Sequence, residues 1–237
     1  MQNLHLFSLL LNYPTPDLQD VCDEMLARLS VDPALPKDTA RRLAPLLNRL
    51  SESDIYAAQE HYIDLFDRGR THSLHLFEHV HGESRDRGQA MVDLRQRYLD
   101  AGLEPSGNEL PDYLPLFLDY CSTLPEAQAR EALYEPGVVL VALAARLADK
   151  GSDYAPLMAL LCEIAGVEQG EEAQRALSPV DDPADLEALD AAWEEEQITF
   201  GSMAPSAPDT KAACLQAQAM VSRILDSVNV NQPARSL

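Results

Sequence analysis

Three histidines within eight residues are the first feature of this chain that suggests chemistry. His72, His75 and His79 are spaced three and four residues apart, so on a continuous helix they would share one face. Glu78 lies among them, and a metal ion needs imidazole and carboxylate ligands that converge in this way. A di-metal site in a helix bundle requires Glu-x-x-His on two helices, and the chain carries that motif once, from Glu78 to His81. We therefore predict that these histidines lie on the surface or contact other side chains and bind no metal. A metal-dependent helical enzyme is kept as the alternative.

No motif for nucleophilic catalysis or phosphate binding accompanies the histidines. The chain lacks G-x-S-x-G, a Walker loop, a glycine-rich G-x-G-x-x-G turn after a strand, and H-E-x-x-H. Its many carboxylate pairs are uninformative in so acidic a sequence. The residue patterns therefore give almost no support to an enzyme.

Two arginines and a glycine follow the histidines. Ser84 is a good N-cap, so we expect a helix that begins with Arg85 and Arg87 in its first turn. Either guanidinium can pair with Glu78, with Glu83 or with the carboxylate of an incoming ligand. Gly88 costs helix stability, so it indicates close packing of a neighbouring helix or close approach of a ligand backbone.

Apolar side chains in the same stretch suggest a groove. Leu74, Phe77 and Met91 supply apolar surface, and methionine adapts well to a variable partner. An apolar groove with an acidic rim would accept an amphipathic helix that carries basic residues. The alternative is that each of these three residues belongs to the ordinary core.

The charge of the chain restricts its partners. The 237 residues carry a formal net charge of −21 and 46% of them are hydrophobic, with a sequence pI near 4.4. So acidic a protein repels nucleic acid and anionic membranes, and we predict neither as a partner. A basic protein segment is the natural complement, although high acidity also serves solubility alone.

Cysteine usage and the N-terminus bear on the compartment. Cys22, Cys121, Cys162 and Cys214 form no C-x-x-C pair, so we expect buried free thiols and no zinc or iron–sulfur site. The N-terminus lacks the basic region and cleavage site of a signal peptide. The longest strongly apolar run, residues 138–145, is too short to span a bilayer. We predict a cytoplasmic protein.

Helix signals recur along the chain, without the alternation that is typical of strands. We predict an all-α protein with a single helical-bundle domain over residues 1–166. The expected helices cover residues 4–11, a second capped by Asp17, a third from Pro36 to Leu50, a fourth from Ser53 or Asp54 to Gly69, 71–80, 84–101, 110–121, two that begin at Pro125 and Pro136, and 153–165.

Composition changes after Gly166. Residues 168–196 hold eleven acids and one base, Arg175. Small residues and prolines at 201–208 indicate a linker, and Asp209 is a suitable cap for a terminal amphipathic helix. We predict that residues 167–237 form an acidic, partly mobile extension.

Two long motifs carry a family resemblance. The segments YIDLFDRGR at residues 62–70 and LFEHVHGESRDRGQAM at residues 76–91 closely resemble the NarJ family of assembly chaperones for respiratory nitrate reductase. The segment ELPDYLP at residues 109–115, continued by LDY at 118–120, resembles the second motif of that family. The match extends over about residues 62–120.

The resemblance implies the fold of the TorD/DmsD redox-enzyme maturation class and a cytoplasmic chaperone that is not an enzyme. Such a chaperone binds the N-terminal segment of the nitrate reductase α subunit. It holds the αβ apoenzyme until iron–sulfur centres and molybdopterin guanine dinucleotide are inserted, and before the enzyme docks on its membrane subunit. The chaperone itself binds no cofactor stably, and molybdenum cofactor biosynthesis proteins are further candidate partners.

The resemblance and the residue patterns together predict a peptide-binding site. Asp112 matches the family motif directly, whereas Tyr113 stands where relatives commonly have histidine. A scaffold for some other complex remains a further hypothesis, because acidity alone would also suit it. The predicted peptide-binding residues are Tyr62, Phe66, Leu74, Phe77, Glu78, Ser84, Arg85, Arg87, Gly88, Met91, Asp112, Tyr113 and Leu116.

Overall fold

Helices make up the fold of this protein, seen here in a computed structural model that describes residues 3–81, 85–104 and 109–168. These residues contain ten α-helices, a single 3-10 turn over Arg70–His72 and one isolated bridge between His75 and Tyr113, with no strand. The all-α prediction is thus confirmed. The helices are α1 (Asn3–Leu11), α2 (Pro16–Val31), α3 (Thr39–Glu52), α4 (Ile55–Phe66), α5 (Leu76–His81), α6 (Arg85–Asp100), α7 (Leu114–Thr123), α8 (Glu126–Tyr134), α9 (Gly137–Asp149) and α10 (Ala155–Ala165).

Pairs of helices pack side by side around one core. Helix α2 packs along α3, α9 along α10, and α1 along α7, while α10 also contacts α3 and α8. The nearly all-apolar sequences of α9 and α10 fit this central position, because a helix that is apolar all round must be buried. Buried side chains from five helices form the centre: Leu4, Phe7, Leu43, Leu47, Leu118, Leu143 and Leu161.

Two predicted helix starts are wrong by a few residues. Helix α2 is capped by Thr15 rather than Asp17, since the Leu18 amide donates to Thr15 Oγ1 at 3.2 Å and Pro16 occupies the first helical position. Helix α3 begins at Thr39, because Pro36 forms a turn in which its carbonyl accepts from the Thr39 amide. At α4 the predicted cap Asp54 is confirmed, with its carboxylate accepting from the Tyr56 amide.

The largest error concerns the predicted helix over residues 71–80. The structure has the 3-10 turn, then an extended segment, and α5 begins only at Leu76. Tertiary pairing competes with the local helical pattern here, since the Leu76 amide donates to the Asp112 carbonyl and the Leu114 amide to the Leu74 carbonyl. The same pairing delays the start of α7, which was predicted at residue 110.

Helix ends agree better with the sequence signals. Gly102 and Gly166 follow α6 and α10 with φ of 77° and 74°, a left-handed conformation that glycine adopts without strain. Cys22, Cys121 and Cys162 are buried free thiols, as predicted. Residues 169–237, with the predicted linker, terminal helix and Cys214, lie outside the described residues. None of the described helices combines the length and apolar composition needed to cross a membrane.

Candidate functional site

The three histidines do not share a helix face, so that prediction is wrong. His72 belongs to the 3-10 turn, His75 to the bridge with Tyr113, and His79 to α5. His75 Nδ1 lies 3.2 Å from Asp112 Oδ1, whereas His79 Nε2 lies 2.8 Å from the Ser73 carbonyl. Within the described ranges, no three side chains of the His, Cys, Asp or Glu type are placed to hold a metal ion. His75 and His79 thus each have a hydrogen-bond partner within the protein.

Asp112 organises the start of α5 although it belongs to the segment before α7. Its side chain is fully buried, and its Oδ2 accepts a hydrogen bond from the Phe77 amide at 3.0 Å. The carboxylate therefore caps the N-terminus of α5 from outside that helix. The amides of the first helical turn lack intrahelical partners and need such an acceptor. His75 is its second partner, and Arg87 Nη2 lies 4.0 Å from Oδ2.

Arg87 connects α6 to the cluster formed by Asp112, His75 and the start of α5. Its Nη2 donates to Glu78 Oε1 at 3.3 Å, and both side chains are about three-quarters buried. Of the two predicted roles for this arginine, the structure thus shows pairing within the protein. The pair fixes the first turn of α6 against α5, next to the buried Asp112 carboxylate.

The two histidines of this cluster have opposite protonation preferences. The hydrogen bond to Asp112 raises the pKa of His75 above its ordinary value. Burial lowers the pKa of His79, which favours the neutral ring. A neutral His79 that donates from Nε2 to Ser73 leaves Nδ1 free to accept from Arg146 Nη1, 3.5 Å away.

We expect His75→Gln to remove a pH-dependent part of the stability. The raised pKa of His75 means that its pairing with Asp112 is fully present below the ordinary pKa of 6.5 and is lost as pH rises through the folded value. In urea titrations the free energy of unfolding of the wild type should exceed that of the variant by about 1 kcal/mol near pH 5.5. The difference should be much smaller near pH 8.5. His79 is common to both proteins, so its opposite effect cancels in the difference. An equal gap at both pH values would contradict the assignment.

Tyr113 is held by a tyrosine pair. Its hydroxyl lies 2.9 Å from that of Tyr62, whose hydroxyl donates to the Leu11 carbonyl at 2.8 Å, so Tyr113 is the donor within the pair. The Tyr113 ring lies 5.4 Å from the His75 imidazole, centre to centre. Tyr62 and Phe66 are buried core residues whose rings lie 4.9 Å apart.

An open apolar groove of about 530 Å³ lies beside this cluster. It runs between α5, α6, α7 and the start of α9. Aliphatic and aromatic side chains dominate, and several of them, such as Val80 and Val138, are substantially exposed. The lining residues are Leu76, Phe77, Val80, Ala90, Asp93, Leu94, Arg97, Phe117, Glu135, Pro136, Val138 and Val139.

Three charged residues mark the edge of this groove. Arg97 on α6 donates two hydrogen bonds of 2.7 Å to the carboxylate of Glu135, which follows α8. That forked pair joins two walls of the groove. Asp93 lies one turn before Arg97 and accepts a hydrogen bond of 2.8 Å from Gln89.

Few of the predicted peptide-binding residues line the groove. Phe77 does, whereas Leu74 is buried and Leu116 lines a separate cavity with Tyr98 and Tyr120. Met91 is half-buried outside the lining. Ser84 lies outside the described residues, and of Arg85 only the backbone is described.

Most of the residues that line the groove were not predicted from the sequence. On α6 the lining positions Ala90, Asp93, Leu94 and Arg97 follow the spacing of one helix face, so the face was detectable. The contribution of Val138 and Val139 was not, because only the fold brings the start of α9 to α5 and α6.

Gly88 does not serve close packing of a neighbouring helix, so that hypothesis is wrong. Among the residues that the structure describes, a Cβ added there would meet nothing within 4 Å. At 100° per residue, Gly88 also lies on the face of α6 opposite Ala90 and Leu94. We expect Gly88→Ala to raise the free energy of unfolding by about 0.5 to 1 kcal/mol in urea titrations. A destabilised variant would contradict this placement.

Comparison with known proteins gives consistent matches. A family model described as "Nitrate reductase delta subunit" matches residues 32–160, more than half of the chain, and this range contains every groove-lining residue. The "Nitrate reductase molybdenum cofactor assembly chaperone NarJ" of Escherichia coli (strain K12) is 44% identical over 202 residues, 84% of this chain and 85% of that protein.

A more distant relative and one solved structure extend the comparison. The Bacillus subtilis (strain 168) protein named "Probable nitrate reductase molybdenum cofactor assembly chaperone NarJ" is 32% identical over 160 residues, 65% of this chain and 83% of that protein. The crystal structure of a candidate redox enzyme maturation protein from Archaeoglobus fulgidus superposes with a TM-score of 0.48 at 22% identity. It covers 70% of this chain and 93% of that one.

Proposed function

The chain belongs to the nitrate reductase delta subunit family, which confirms its resemblance to NarJ, and we propose that it is a chaperone for molybdenum cofactor assembly in nitrate reductase. The names of the Escherichia coli and Bacillus subtilis relatives describe assembly chaperones, and the histidine geometry gives no support to the metal-dependent alternative. Acting on a nitrate reductase fits a protein whose described surface includes an open apolar groove of about 530 Å³.

We propose that the groove binds the N-terminal segment of the nitrate reductase α subunit as an amphipathic helix. Its apolar lining is the observation that carries this proposal, because an exposed apolar concavity of this kind fits the apolar face of a helix. Burial of that face would supply most of the binding energy. The acidity of the chain would speed the approach of a basic segment.

Binding of this segment would keep the αβ apoenzyme competent for assembly. We propose that iron–sulfur centres and molybdopterin guanine dinucleotide are then inserted into the client, and that this chain holds neither stably. Molybdenum cofactor biosynthesis proteins would meet the client at this stage. The site of action would be the cytoplasm, before the client docks on its membrane subunit.

Isothermal titration calorimetry of the full chain tests this proposal. The titrant is a synthetic peptide of the N-terminal segment of the nitrate reductase α subunit from the same organism. We expect saturable one-to-one binding with a negative heat-capacity change, the mark of apolar burial. A peptide of the same composition in scrambled order is the control. Equal heats from the two peptides, or none from either, would contradict the proposal.

A further inference from the structure

The three charged residues at the edge of the groove differ in how they are neutralised. Arg97 and Glu135 neutralise each other through their two hydrogen bonds, and Glu135 raises the pKa of Arg97 accordingly. Asp93 accepts from Gln89, an uncharged donor, and no cation within the described ranges forms an ion pair with it. The groove therefore presents one uncompensated negative charge, at Asp93.

The position of Asp93 makes this charge available to an occupant. Ala90 and Leu94, on the same face of α6, belong to the apolar lining, so the carboxylate stands at the border between that lining and water. A helix that buries its apolar face in the groove would carry its flanking polar side chains across this border. A charge pair formed there would stay in contact with water, so added salt would weaken it.

We propose that Asp93 is the specificity-determining residue of the groove and selects a Lys or Arg side chain that flanks the apolar face of the bound helix. This inference rests on the proposed function, since it names which client segments the groove accepts. An acidic residue at the same place in a client is rejected, because it meets a like charge. The forked Arg97–Glu135 pair offers no such preference, since each charge is already satisfied.

The matched pair Asp93→Asn and Asp100→Asn tests the proposal. Both aspartates lie on α6, and each accepts a hydrogen bond of 2.8 Å from the glutamine four residues before it. Each variant removes one negative charge from one helix, but Asp100 does not line the groove. Calorimetry with the nitrate reductase α-subunit peptide should show about five- to tenfold weaker binding for Asp93→Asn and little change for Asp100→Asn.

Salt and peptide variants identify the interaction as a charge pair. Raising NaCl from about 50 to about 500 mM should remove most of the difference between wild type and Asp93→Asn. Peptides in which each Lys or Arg is replaced singly by Gln should include one whose loss of affinity disappears in the Asp93→Asn background. That peptide marks the selected cation.

The outcomes separate this inference from the proposed function. Equal effects of Asp93→Asn and Asp100→Asn, with tight wild-type binding, would overturn the role of Asp93 and leave the chaperone function intact. A difference that persists at high salt would also overturn the charge pair. Failure of the wild-type chain to bind the peptide would overturn the proposed function and this inference together.

Discussion

Replacing Asp112 with alanine is expected to lower the free energy of unfolding by about 3 to 5 kcal/mol. The change removes a fully buried carboxylate that caps the Phe77 amide, pairs with His75 and faces the Arg87 guanidinium. The partners left behind are then buried without their acceptor, which costs more than the lost bonds alone. Urea unfolding monitored by circular dichroism at neutral pH measures the loss.

Two controls define this result. Asp119→Ala removes a pair with His5 in which both side chains are about half exposed, so its effect should stay within about 0.5 kcal/mol. Asp112→Asn keeps an acceptor for the Phe77 amide and should lose less stability than Asp112→Ala. Similar small effects of Asp112→Ala and Asp119→Ala would show that Asp112 does not organise α5.

Replacing Val80 with aspartate is expected to weaken binding of the nitrate reductase α-subunit peptide at least about 100-fold. Val80 lines the groove on α5 and is 58% exposed in the free protein, so the fold should tolerate the change. In the complex, however, the new carboxylate would be buried against the apolar face of the peptide without a partner, at a cost of several kcal/mol. Titration calorimetry gives the affinity, and thermal unfolding checks that the variant remains folded.

Val92→Asp is the matched control for this prediction. Val92 is 62% exposed, but it lies two residues after Ala90 and therefore on the face of α6 that points away from the groove. The same substitution there should leave the affinity within about twofold of the wild type. Comparable losses in the two variants would mean that the peptide does not bind along α5.

The helices could be predicted from the sequence because their signals are local. The Asp54 cap and the glycines after α6 and α10 each act within a few residues, and all are confirmed. The predicted helix over residues 71–80 failed for the opposite reason. There the backbone of residues 74–76 pairs with residues 112–114, a contact across the fold that outweighs local helix propensity.

The candidate site was predictable only in part. Of the motif around residues 62–91, Phe77 lines the groove and the Glu78–Arg87 pair lies beside it, while contact of these residues with a client stays a prediction. The role of Asp112 could not be read from it, because its complete burial and its capping of α5 depend on tertiary packing. The resemblance implies that Asp112 contacts the client. Its burial and its hydrogen bond to the Phe77 amide instead favour an indirect role, in which Asp112 positions α5.

Chemical-shift mapping of the full chain, labelled with ¹⁵N and titrated with the nitrate reductase α-subunit peptide, tests the central claim most directly. We predict that the largest amide shifts fall on the groove walls, at Leu76, Val80, Leu94 and Val138. Shifts confined to α1 and α2, or to the surroundings of Tyr62, with none along α5 and α6, would contradict the account.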